Sequence, residues 1–142
     1  MERRRELLAA LAASAAIACV AVPAGALAAQ PTIEIVALPH WPVQNALKPV
    51  RDFLGTLGTR VKVIEFDAES PAGEKKLSAA GLKGHVPILL LINGSDSFKR
   101  ADGTAVEFKD FPAKADNPLR LNGSWTVGDF ESAVNAALGA KK

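Results

Sequence analysis

The chain has 142 residues, with 17 Lys or Arg against 15 Asp or Glu and a formal net charge of +2. That length suits one domain, and so balanced a charge excludes a dominant nucleic-acid or acidic-lipid surface. Hydrophobic residues make up 49% of the chain, which excludes a disordered polymer.

The first element is a targeting segment. Arg3, Arg4 and Arg5 precede an Ala-rich apolar run over residues 7–22, and Pro23 and Gly25 then break any helix. Ala26-Leu27-Ala28 supplies the small residues that a signal peptidase accepts. We read residues 1–28 as an export signal and 29–142 as the domain, which implies a periplasmic or secreted protein. Arg4-Arg5-Glu6-Leu7-Leu8 fits a twin-arginine signal as well as a general secretory one. The apolar run is too short and too rich in alanine for a stable membrane span. Beyond residue 28 the chain holds 14 Lys or Arg against 13 Asp or Glu. The only cysteine, Cys19, lies inside the apolar run. Ala16-Ile17-Ala18-Cys19 faintly resembles a lipoprotein attachment site, but Val20, Ala21 and Val22 depart from the polar linker such sites carry. Cys19 is otherwise expected to leave with the signal, so that the mature chain has no thiol, disulfide or thiolate ligand.

Residues 32–38 (TIEIVAL) are rich in β-branched types and read as a buried strand, broken by Pro39-His40-Trp41-Pro42. From Val43 the apolar positions Ala46, Leu47, Val50, Phe53, Leu54 and Leu57 trace one helical face, with Pro49 as a kink and Gly58 as terminator. Residues 61–66 form a second strand. Ser70-Pro71 marks an N-cap and first turn, and the helix it opens runs to about residue 80 before Gly81. Pro87 precedes the apolar run 88–92, a central strand. Asn93-Gly94 and Asp102-Gly103 are turn signals, with short antiparallel strands near 97–100 and 104–108. Residues 110–124 read as a long surface loop, with Phe111, Pro112 and Trp125 near its ends. Thr126, with Asp129 three residues on, opens a last helix through a capping box. Lys75-Lys76 and Lys99-Arg100 are too small for a nucleic-acid site and read as solvated charge.

The order β-α-β-α-β-β-α is α/β, a mixed central sheet flanked by helices. With Pro49 in the first helix, Gly84-His85-Val86-Pro87 before the central strand and Asn93-Gly94 after it, the chain resembles the thioredoxin superfamily over about residues 31–140. The resemblance implies a thioredoxin-like domain, with Pro87 as a cis-proline. It also locates the departures. The family's Cys-x-x-Cys would fall on Trp41-Pro42-Val43-Gln44, and its buried acid on Ile35. Disulfide exchange needs an attacking thiolate and a resolving thiol, so a thiol–disulfide oxidoreductase activity is not expected.

The resemblance brings residues 39–44 beside residues 85–87. We therefore expect a redox-inactive, non-catalytic module or accessory subunit that binds a polypeptide or an exported protein. Its groove comprises His40, Trp41, Gln44, His85, Val86 and Pro87. Trp41 is the apolar anchor, Gln44 a polar contact and Val86 a source of backbone hydrogen bonds. No cofactor is expected. One alternative is a metal-binding or histidine-assisted activity at His40 and His85, the chain's only histidines, although spacing offers no third ligand. Another is partnership with a true thiol oxidoreductase.

Overall fold

The computed structural model describes residues 30–115 and 120–139. The expected export signal and Cys19 lie outside the described residues.

Strand β1 (Thr32–Ala37) is the centre of a three-stranded sheet ordered β2-β1-β3. β2 (Lys62–Asp67) runs parallel to it, with Thr32 opposite Lys62, and β3 (Ile88–Ile92) runs antiparallel, with Ile33 opposite Ile92. β3 is buried at every position, as an uninterrupted apolar run requires when both faces are covered. Asn93 and Gly94, at φ 50° and 81°, make a two-residue turn in which Ile92 and Ser95 exchange backbone hydrogen bonds. β4 (Ser97–Lys99) and β5 (Ala105–Glu107) then form a hairpin around the Asp102-Gly103 turn. Past β5 the chain lies along the free edge of β3. There Leu90 N–H donates to Phe108 O (2.9 Å) and Asp110 N–H to Ile88 O (2.9 Å).

The periodic segment after β1 forms two helices, α1 (Trp41–Ala46) and α2 (Lys48–Leu57), rather than one kinked helix. Pro49 has no N–H for the Asn45 carbonyl, so the ladder breaks at Leu47 and Pro49 settles into the first turn of α2, where its missing donor costs nothing. α3 (Pro71–Ala79) starts where expected: Ser70 Oγ accepts from Gly73 N–H at 3.1 Å, and Gly81 at φ 73° ends the helix. α4 (Val127–Gly139) has its capping box, with Thr126 and Asp129 bonding each other's backbone N–H at 3.1 and 2.9 Å.

α3 packs on one face of the sheet, while α2 and α4 pack together on the other. On the α2/α4 side Phe130 meets Phe53 and Phe108 edge-on, at 6.5 and 5.7 Å between ring centres. Phe108 also meets the Trp125 ring at 6.0 Å. The segment read as a surface loop is thus anchored in the core at both ends: Phe111 and Trp125 have no exposed surface, and Pro112 is buried. The reason is polar satisfaction as well as apolar burial. Trp125 Nε1 donates to the Lys109 and Asp110 carbonyls at 3.1 and 3.3 Å, so the indole buries without stranding its N–H. The doublets read as solvated charge each supply a clamp. Lys76 pairs with Glu34, the buried charge of β1, at 2.5 Å. Arg100 forks onto both oxygens of Asp129 at 2.8 and 2.7 Å.

Candidate binding site

The carboxyl ends of the parallel strands β1 and β2 release two loops, and loops at that end of a sheet commonly form ligand sites. Leu38 N–H donates to Pro87 O at 3.0 Å, so the segment leaving β1 and the one entering β3 are tied together. Of residues 39–44, His40 is the one brought against residues 85–87, at His85. The His40 and His85 rings lie 6.3 Å apart between centres and 30° from parallel. His40 Nε2 is 3.6 Å from Glu69 Oε1, and both side chains are more than half exposed.

Trp41 opens α1 and is 76% exposed. The local chain explains why. Val43 and Leu47 carry the buried face of this turn, and Pro42 beside Trp41 sets the helix entry, leaving the indole on the outer side.

Three of the expected contacts differ. The peptide bonds among the described residues are all trans, Val86–Pro87 included, which corrects the expected cis bond. X–Pro bonds favour trans by about 0.5–1 kcal/mol, and here the trans form already lets Pro87 open the β1–β3 ladder. The loop before it closes on itself, with Val86 N–H donating to Gly84 O at 3.1 Å. That donor is therefore spent within the loop and is not offered to an added strand. Gln44 is likewise engaged, its side-chain amide donating to Leu38 O at 2.8 Å. It fixes the exit from β1 instead of projecting as a free polar contact.

Two clefts flank this platform. One, of about 160 Å³, is lined by Leu38, Ala68, Leu77 and Val86, with Glu69, Glu74 and His85 also on its walls. The other, of about 320 Å³, lies between Pro39 and Gln44 on one side and Glu65, Phe66 and Asp67 on the other. Glu69 and Glu74 were not singled out by sequence reasoning. The signal was present in the Ser70-Pro71 cap, which sets Glu69 just before α3 and Glu74 in its first turn. Ile35, on the central strand, is buried.

Among the described residues no group of three or more His, Cys, Asp or Glu is arranged to hold a metal ion, and no helix is long and apolar enough to cross a membrane. Compared with protein-family models, curated proteins and solved structures, the chain matches none of them. What the fold and site define is a mixed α/β protein with an exposed indole and a histidine pair beside an acidic, apolar-lined cleft.

Proposed function

We propose that this is an exported, thioredoxin-like protein that has no thiol chemistry and binds a polypeptide on the platform of Trp41, His40, His85 and Val86. The observation that carries the reading is Trp41, a large aromatic 76% exposed where two loops converge. Tryptophan is among the residues enriched at the energetic anchors of protein interfaces. The thioredoxin-like part is supported by the topology. β2 is parallel to the central β1, β3 is antiparallel to it, a further antiparallel segment follows, and helices cover both faces. The absence of redox activity rests on Cys19 being the only cysteine in the sequence. Since Val86 N–H is used within its own loop, side-chain contacts rather than strand addition supply most of the affinity. An array of extended peptides tests the reading: Trp41→Ala weakens the strongest binders about tenfold or more, the loss expected of an interface anchor. Signals indifferent to that substitution would sink it.

The convergence of the two imidazoles favours a second reading, a metal-binding or histidine-assisted site at His40 and His85. Titration with zinc or copper would shift both histidine NMR signals together, and His40→Ala would abolish the response at His85. Unmoved signals would remove this reading and leave the first intact.

A further inference from the structure

The platform is apolar at its centre and acidic at its lip. Leu38, Ala68, Leu77 and Val86 line the 160 Å³ cleft, which has room for one extended side chain but not for a secondary-structure element. Glu69 and Glu74 stand on the same walls, and Asp67 lies just before them at the end of β2. Among the described residues none of these three carboxylates forms an ion pair with Lys or Arg; Glu69 has only the His40 ring at 3.6 Å. Of the other described carboxylates, Glu34, Asp52, Glu65, Glu107 and Asp129 are paired with Lys or Arg, while Asp96, Asp102, Asp110 and Glu131 are not. The N-terminus of α3 favours carboxylates nearby, and Asp67 is already engaged there, its Oδ1 accepting from Glu69 N–H at 2.8 Å. Two exposed carboxylates without a Lys or Arg partner, Glu69 and Glu74, thus stand around an apolar slot that reaches the His85–His40 pair, next in the chain to the exposed indole.

We infer that the occupant of this cleft is a lysine or arginine side chain of an extended partner segment, its methylene stem against Leu38 and Val86 and its cationic head between Glu69 and Glu74. The stem and head of such a side chain match an apolar slot with an anionic rim, which a wholly apolar or an acidic side chain does not. An adjacent apolar residue of the same segment lies on Trp41. This inference rests on the polypeptide-binding reading and adds the sign and shape of what is bound.

The test uses the full-length chain and three fluorescent ten-residue peptides. They are identical except at two central positions, which hold Lys, Gln or Glu. Anisotropy at low salt gives the order Lys, Gln, Glu. The Lys preference is about tenfold over Gln and shrinks as salt is raised, because exposed charges are screened. Glu69→Gln and Glu74→Gln each weaken the Lys peptide about threefold and leave the Gln peptide unchanged. The double reversal Glu69→Lys with Glu74→Lys inverts the order, which a merely unfolded variant cannot do. Equal binding of the three peptides, all weakened in Trp41→Ala, overturns this inference and keeps the platform. Lys binding indifferent to both glutamates overturns it too. No binding by any peptide, or binding indifferent to Trp41→Ala, overturns the platform reading with it.

Discussion

The two tryptophans of this chain have opposite fates. Trp125 follows a Pro- and Gly-bearing stretch and is fully buried, its N–H taken by two carbonyls and its ring set edge-on to Phe108. Trp41 opens a helix beside two prolines and is 76% exposed. Where Trp125 sits, ring–ring contacts and a bidentate ion pair close the structure. Where Trp41 sits, the backbone is fixed by short hydrogen bonds while the side chains stay open to solvent. The difference teaches that one tryptophan is built into the core for stability while the other presents a surface.

The largest effect expected from breaking that contrast is at the buried tryptophan. Trp125→Ala removes the plug between Phe108 and the loop carbonyls and should cost about 3–5 kcal/mol in urea unfolding. A loss below about 1 kcal/mol would show that the loop ends are not part of the core.

Next comes a glycine in the first turn of α3, beside the platform. A Cβ at Gly73 would sit 1.9 Å from the Asp67 carbonyl oxygen and 2.9 Å from Ala68 Cα, so the first turn of α3 is seated directly on the end of β2. Gly73→Ala should therefore destabilise by about 1–3 kcal/mol as overpacking, against the usual gain from alanine in a helix. Gly55→Ala in α2 is the control, since nothing lies within 4 Å of its added Cβ, and it should stabilise by about 0.5–1 kcal/mol. If both substitutions act alike, the first turn of α3 is not seated on the end of β2.

Much of this was legible beforehand. The strand cores followed from β-branched apolar runs, the Asn93-Gly94 hairpin from residues that tolerate positive φ, and the α3 and α4 starts from their caps. The meeting of His40 with His85 could be expected only through the resemblance, because the two lie far apart in the chain. The burial of Phe111 and Trp125 was not legible. Local composition there signals a loop, and only the tertiary supply of carbonyls from residues 109 and 110 makes an indole acceptable inside. The Val86–Pro87 isomer was misjudged for a related reason. It depends on how the loop closes onto Gly84 and Leu38, which no local pattern encodes.

The Arg100–Asp129 clamp sets a smaller, pH-dependent term. Hydrogen bonding from the Arg100 guanidinium holds the Asp129 carboxyl below its usual 3.8, at about 2, with the Thr126 N–H adding to the effect against the opposing influence of burial. Because the folded-state value is depressed, this contribution is fully present above pH 3.8 and is lost as pH falls through about 2. Asp129→Asn should cost about 1–2 kcal/mol near neutrality and flatten the acid limb of stability against pH. An unchanged acid limb would show that the clamp is absent in solution.

The smallest effect on stability, and the most telling for function, belongs to Trp41. An indole this exposed contributes little to the core, so Trp41→Ala should leave the unfolding free energy within about 0.5 kcal/mol of the parent. The same substitution should remove the component of fluorescence that aqueous quenchers reach, leaving the protected emission of Trp125. It should also weaken peptide binding about tenfold or more. Stability unchanged with binding weakened is the signature of a side chain held out for a partner. A loss above about 1.5 kcal/mol would mean instead that the indole covers part of its own molecule, and the contrast between the two tryptophans would collapse into two versions of the same structural role.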